Sequence, residues 1–437
     1  MTAAELLEKI NSPKAAELFA SLYGEAEVEA ERQRYKRLIE EFPKEEDGSF
    51  RLFSVPGRTE LGGNHTDHNQ GKVLAASIQL DAAAVVTPRQ DKQVIFHSRG
   101  HSSVKMDISD FSLREDEKGK AEAIVRGIAA ELTARGEKLN GFTANIDSRV
   151  LIGSGLSSSA AVEVLFAKIF DNLFCGGQRS ALELARIGQK AENIYFGKPC
   201  GLMDQTACAS GGAVAIDFED LQNPKVQKID FDPAAAGYAF CIVDTRGNHA
   251  DLTPDYAAIP AEMKDVAAFF GKSVLRELDE GVFMARLADL RKPAGDRAVL
   301  RALHFFSENH RVDAMRSALE KLNTNPSDKN AIKDFLALVR ESGDSSWELL
   351  QNIYSPKNLH QQCVSLALAL TKNFLANNTA HNGACRVHGG GFAETIQVYL
   401  PLDKLEAYRN FMEGIFGEGA LTVLKIRPMG AVELDFS

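Results

Sequence analysis

Residues 151–162 read Leu151-Ile-Gly-Ser-Gly-Leu-Ser-Ser-Ser-Ala-Ala-Val162, in which Gly153 and Gly155 precede three serines and the start of an apolar helical run. Glycines there let the backbone turn tightly and approach a ligand closely. The first turn of the helix that follows presents unpaired N–H groups at the positive end of its dipole, and serine hydroxyls can bond phosphate or the shell of a metal ion. The segment reads as a phosphate cradle, although a serine-capped helix after a flexible turn has the same spelling. The lysine-bearing nucleotide loop is absent: Gly71-Lys72 is followed by Val73, and Gly271-Lys272-Ser273 has Val266 where the first glycine belongs.

Outward from this loop, one helix is expected from Ser157 to about Phe174. A second, from Ser180 to about Phe196, sets Leu184, Ile187, Ala191 and Ile194 on one face before the stop signals Gly197 and Pro199. Upstream, residues 4–42 read as one or two amphipathic helices and Phe50–Val55 as a strand ending at Pro56-Gly57. A hairpin is expected from Ala82 through the polar tip Arg89–Lys92 to Phe96, a helix over 119–135, and strands at Phe142–Ile146 and Val150–Ile152. Downstream, a strand at Ala239–Asp244 leads into a mostly helical stretch to Asn378, in which Asn323–Asn330 is a loop, and strands at Glu394–Leu400 and Leu421–Arg427 follow. The pattern predicts an α+β protein of two packed lobes, 1–220 and 221–437, without internal repeats.

The chain has 437 residues, with 50 Lys and Arg against 60 Asp and Glu, a formal charge of −10. That length buries cores without disulfide or metal staples, and the acidic balance excludes a general binder of nucleic acid or anionic membrane. The six cysteines are scattered and form no C-x-x-C pair, which fits a reducing compartment. The first residues show no signal-peptide pattern and no 18-residue apolar run occurs, so a cytoplasmic protein is expected.

Two further clusters carry chemistry. Residues 56–71 pack Arg58, Glu60, Asn64, His65, Asp67, His68 and Asn69 around four glycines. Several short polar side chains on a glycine-shaped backbone suit a sugar, each of whose hydroxyls needs a partner. The rival reading is a metal site on His65, Asp67 and His68, with His97 and His101 as another i, i+4 pair. Farther on, Glu192 near a helix end and Asp204 twelve residues later can converge on one pocket, one on Mg²⁺ and one on a hydroxyl nucleophile. Gly389-Gly390-Gly391-Phe392 is a second glycine-rich turn.

Taken in order, Arg58 to Gly71, Gly155-Leu-Ser-Ser-Ser-Ala160, Cys200-Gly-Leu-Met-Asp-Gln205 and the glycine turn resemble the motifs of the GHMP small-molecule kinases, and among these the galactokinase family. The resemblance implies a two-lobe fold with mixed sheets, packed helices and the active site in the interlobe cleft. It implies ATP- and Mg²⁺-dependent phosphorylation of a sugar at the anomeric hydroxyl, galactose by default. By position, Asp204 and Arg58 are the catalytic pair, and Gly153, Ser154, Gly155, Leu156, Ser157, Ser158 and Ser159 bind ATP. Glu192 with Ser158 or Ser159 holds Mg²⁺. Glu60, Asn64, His65, Asp67 and Tyr256 meet the sugar.

The chain also departs from the family. Glu60 stands for an Asn, Asn64 for a sugar-binding Glu and His68 for an aromatic residue, while Asn358 and His360 replace two acids and Glu394 a glycine. Asn64 carries no charge and cannot reproduce a carboxylate's pull on a hydroxyl. Two alternatives follow: a kinase for an amino or N-acetyl hexose, a pentose or a uronic acid, or a galactokinase-like sugar sensor without catalysis. Neither a nucleic acid nor a membrane partner is expected.

Overall fold

In the computed structural model, residues 1–43, 49–151, 153–247, 252–393 and 395–436 are described. Three helices open the chain, α1 (Ala3–Ile10), α2 (Pro13–Tyr23) and α3 (Val28–Glu40), where one or two were expected. The extra break is local chemistry: Ser12 accepts a hydrogen bond from the Ala15 N–H and Pro13 occupies the first helical position, so α2 restarts there. Leu6, Ile10, Phe19, Leu22 and Leu38 of these helices pack on Leu52, Ala83 and Val85 of a sheet.

That sheet is built from β1 (Arg51–Gly62), β2 (Lys72–Pro88), β3 (Gln93–Ser98), β4 (Val104–Asp107), β5 (Phe142–Ser148), β6 (Ala213–Asp217) and β7 (Lys225–Ile229). Helices α4 (Ala121–Ala134), α5 (Ser158–Phe174), α6 (Ala181–Lys190) and α7 (Met203–Ser210) are interleaved with them. The residues expected to close one helix at Phe196 form a wider π turn, 191–196, after α6. Phe53, Val55, Ala84 and Phe142 of the sheet share a core with Ile128, Leu165 and Phe166 of the helices. The sheet therefore lies between two helical layers.

The expected hairpin does not form. β5 lies between β2 and β3, antiparallel to the first and parallel to the second. Phe142, Ala144 and Ile146 are buried, and an apolar strand gains more from a central place than from an edge. Nor does Pro56-Gly57 end its strand: the register shifts between Pro56 and Arg58, a bulge that carries β1 on to Gly62 and re-aims the Arg58 side chain. No strand forms at Val150–Leu151; Ile152 lies outside the described residues, as does Glu394.

A second sheet, ordered β11-β8-β10-β9, is made of β8 (Tyr238–Asp244), β9 (Ala384–His388), β10 (Thr395–Pro401) and β11 (Leu421–Val423), the last shorter than expected. Between its strands run α8 (Thr253–Phe269), α9 (Glu280–Ala285), α10 (Leu287–Ala294), α11 (Asp296–Thr324), α12 (Lys329–Ser345), α13 (Cys363–Thr379) and α14 (Leu405–Phe416). Leu368, Phe374, Tyr408 and Met412 of α13 and α14 cover one face, and Phe335 and Val339 of α12 pack toward the other. β12 (Val432–Glu433) then returns to the first sheet and pairs with β1. Among the described residues all six cysteines are free thiols, and no helix is long and apolar enough to cross a membrane.

Candidate active site

The glycine–serine loop enters α5 through three left-handed residues, Gly153, Gly155 and Ser157, with φ of 71°, 70° and 57°. A β-carbon makes that conformation unfavourable for serine, so something must hold it there. The Ser157 hydroxyl does not cap α5; it donates to Asp204 Oδ2 at 2.6 Å. The first-turn N–H groups of α5 thus have no side-chain acceptor, which is the condition for receiving an anion. Ser158 is half-buried, Ser159 exposed and Leu156 buried. Ser154 is fixed inward by its hydroxyl on the Leu151 carbonyl at 2.7 Å.

Arg58 joins the loop to the acid. Its Nε and Nη2 donate to Asp204 Oδ1 and Oδ2 at 2.8 and 2.9 Å, a two-pronged pair, while Nη1 donates to the Gly155 carbonyl. Its backbone N–H donates to the Leu156 carbonyl at 3.0 Å. A guanidinium has five N–H donors, so two remain beyond these three bonds. Asp204, in the first turn of α7, keeps a third of its side chain exposed. Burial by itself would raise its pKa, but the Arg58 charge and the bonds from Arg58 and Ser157 outweigh that and hold the carboxyl below the usual aspartate range.

The polar turn after β1 faces the second glycine motif. His65 Nε2 lies 3.1 Å from the Gly390 carbonyl, and burial presses its pKa down to about 3. A carbonyl can only accept, so the neutral ring carries its proton on Nε2 and leaves Nδ1 as an acceptor. The Tyr256 hydroxyl, from the start of α8, donates to the Gly391 carbonyl at 3.0 Å, and a β-carbon at Gly390 would fall 2.4 Å from its ring. Asp67 lies against Gly201, where a β-carbon would come within 2.1 Å of Oδ2.

Glu60 and Asn64 lie beneath this surface, 3 % and 1 % exposed. The Asn64 amide donates to Glu60 at 3.1 Å and to the Gly389 carbonyl at 2.8 Å, and its oxygen accepts from Asn352 at 2.8 Å. Glu60 also takes Arg386 Nη2 at 2.6 Å. The exchange of Asn for Glu and Glu for Asn thus falls on two side chains in mutual contact, and Arg386 neutralises the displaced charge. Burial, opposed by Arg386 and Arg58, leaves the Glu60 pKa raised.

Glu192 ends in a buried pocket with Glu163 of α5. Gln205 Nε2 bridges the two carboxylates at 3.0 and 2.8 Å, and Lys198 Nζ stands 3.3 Å from Glu192 Oε1. Glu192 Oε1 is buried, makes no well-aligned hydrogen bond and has Lys198 as the cation beside it, so a metal ion bound there would have to take over the place of that ammonium. Among the described residues no three His, Cys, Asp or Glu side chains converge to hold a metal ion, so His65, Asp67 and His68 form no such centre. His97 is engaged with Ser103 at 2.6 Å. Any metal at Glu192 would draw its remaining ligands from hydroxyls, water and phosphate.

Several members of the site were not foreseen. Glu308 of α11 accepts from the Gly63 N–H at 3.0 Å and Ser342 at 2.5 Å, and His304 reaches the Asn64 carbonyl at 2.9 Å, so the long helix shapes the polar turn. Arg386, His388 and Asn352 support it from the other side. A signal was present for two of them: β9 reads Ala-Cys-Arg-Val-His, apolar except at positions two apart that share one face.

This combination of one mixed and one antiparallel sheet, an anion-ready glycine–serine loop and an Arg–Asp pair defines a GHMP-type small-molecule kinase. The GHMP kinases N terminal domain model matches residues 123–212, and the galactokinase galactose-binding signature matches residues 36–88. Galactokinase of Streptomyces coelicolor is 34% identical over 308 residues, 69% of this chain and 76% of that protein; galactokinase of Glaesserella parasuis is 30% identical over 366 residues, 82% and 87%. The chain belongs to the galactokinase family. The crystal structure of Lactococcus lactis galactokinase with galactose superposes with a TM-score of 0.72 at 23% identity, covering 96% of this chain and 99% of that one, and a mevalonate kinase shares the fold with a TM-score of 0.57.

Proposed function

We propose that the protein transfers the γ-phosphoryl group of ATP to the anomeric hydroxyl of a monosaccharide, with galactose as the sugar. One observation carries this reading: Arg58 and Asp204 form a two-pronged pair that is fastened to the phosphate loop through Gly155 and Ser157. Phosphoryl transfer asks for positioning and for charge stabilisation rather than covalent help from the protein. Loop N–H groups from 153–159 and the hydroxyls of Ser158 and Ser159 hold the phosphates, those of Ser154 and Ser157 being spent on Leu151 and Asp204. The two free donors of Arg58 stabilise charge on the moving group. Asp204, ionised well below neutral pH, is a weak base; it orients the sugar hydroxyl by accepting its hydrogen bond and takes the proton as the bond to phosphorus forms.

His65 Nδ1, Asp67 and Tyr256 contact the sugar, while Glu60 and Asn64 form the floor beneath them. Glu192, with Ser158 or Ser159, would hold Mg²⁺, which would supply positive charge to the phosphates. The lobes divide near 220, with β7 and β12 belonging to the first sheet, and the cleft lies where the two glycine motifs meet. We place the protein in the cytoplasm, acting on small molecules alone.

A second reading, a kinase of the same chemistry for another sugar, is favoured by the Asn64 amide, which is fully engaged and offers no carboxylate. ADP release over a panel of hexoses, amino and N-acetyl hexoses, pentoses and uronic acids, with NMR of the product, decides. Galactose 1-phosphate as the preferred product supports the first reading, and preference for another sugar replaces it. Sugar binding with no turnover on any of them leaves the sensor.

A further inference from the structure

His388, the last residue of β9, is 1 % exposed and takes no part in the chemistry above. Its Nδ1 lies 2.8 Å from Thr395 Oγ1 and its Nε2 3.0 Å from Thr59 Oγ1. Thr395 donates to the Ser154 carbonyl at 2.9 Å, and Gln397 Nε2 donates to Thr59 at 3.0 Å. These bonds have one polarity. Because the Ser154 carbonyl only accepts, the Thr395 hydroxyl spends its proton there and accepts from His388 Nδ1–H. A neutral ring then has an acceptor at Nε2, which Thr59 fills with its own hydroxyl. Burial and the neighbouring Arg58 and Arg386 charges hold the imidazole pKa down to about 3, so the ring is neutral throughout the working range.

We propose that His388 is a positioning residue that fixes the phosphate loop in register with Arg58. The loop bends through two left-handed glycines and is anchored by three consecutive carbonyls. Gly155 and Leu156 are held by Arg58 itself, and Ser154, among the described residues, by the relay through Thr395. The far end of the relay is Thr59, the residue next to Arg58, so both ends of the imidazole grip the machinery of transfer. His388 also precedes Gly389, whose carbonyl holds Asn64, which places the ring between the sugar floor and the nucleotide loop.

The assignment rests on the reading of 153–159 as the ATP loop. The test measures ATP affinity by calorimetry and both KM values by ADP release, on the intact protein. Loss of a buried hydrogen-bond partner predicts that His388→Leu raises the Kd and KM for ATP about tenfold or more, with the sugar KM within about twofold of wild type. Thr395→Val, which keeps the branched shape and removes only the donor to Ser154, reproduces the effect. His388→Gln recovers most of it, since one carboxamide can donate to Thr395 and accept from Thr59. Unchanged ATP affinity in His388→Leu and Thr395→Val, or a sugar KM that rises as far as that for ATP, overturns the assignment while leaving the kinase reading intact. Absence of ATP binding by the wild-type protein overturns both.

Discussion

Asp204 owes its lowered pKa chiefly to one neighbour. With the Arg58 guanidinium in place its folded pKa lies below the ordinary aspartate value, so the acid limb of kcat/KM falls below that range and activity is flat down to it. Arg58→Ala removes the main opposing charge and shifts the limb to higher pH, besides lowering kcat; a pH–rate profile reads both. Asp204→Asn is expected to lower kcat about 100-fold or more while sparing ATP affinity, by ADP release and calorimetry. Asn64 makes a different case. Asn64→Glu alone would set a second carboxylate about 3 Å from Glu60 in a buried site, at a cost of roughly 3–5 kcal/mol in urea unfolding. The reciprocal pair Glu60→Asn with Asn64→Glu is expected to recover much of that stability. Arg58, Asp204 and the serines were legible in the sequence because each lies in a short motif. The engagement of Asn64 was not, because it depends on Asn352 and Gly389, and its partner Glu60 on Arg386, 326 residues away.

At the scale of elements, α11 acts as the buttress of the sugar turn. Burial would raise the Glu308 pKa, but His304, Arg311, Arg386 and the Ser342 hydroxyl bring it to about 2. The folded value lies below the unfolded one, so Glu308 contributes stability that is full above the ordinary glutamate pKa and is lost as pH falls toward 2. Urea unfolding of Glu308→Gln should accordingly show a smaller decline between neutral pH and pH 3 than wild type. Gly201→Ala tests the opposite wall: its methyl would displace Asp67, raising the sugar KM more than that for ATP. The helices up to α6 were readable from apolar spacing and caps, whereas α8 to α13 were legible only as a mostly helical stretch and α7 and α14 were not read. The pairing of β5 between β2 and β3 was not, since a polar tip between two apolar runs spells a hairpin whether or not another strand intervenes. The short strands β6, β7 and β9, five residues each, carry too few residues to show a period.

Across the whole molecule, one buried cluster joins distant parts of the chain. Asp81 of β2 accepts from Tyr23 of α2 at 2.7 Å, Arg34 of α3 at 2.6 Å and Ser54 of β1, with Arg427 at 3.4 Å. All four partners are nearly or wholly buried. Asp81→Asn takes from Arg427 its carboxylate partner and leaves Arg34 to Glu31 and Asp147, and is expected to cost roughly 3–5 kcal/mol in urea unfolding, with little change in either KM of the surviving native enzyme. The return of β12 to β1 has a consequence for how the protein is made. Arg51 of the first strand pairs with Glu433, 382 residues later, so the strand that carries Arg58 keeps an open edge until residue 433 has left the ribosome. At roughly 5–20 residues per second that edge stays unpaired for about 20–80 s, a window in which nascent chains can join one another through it.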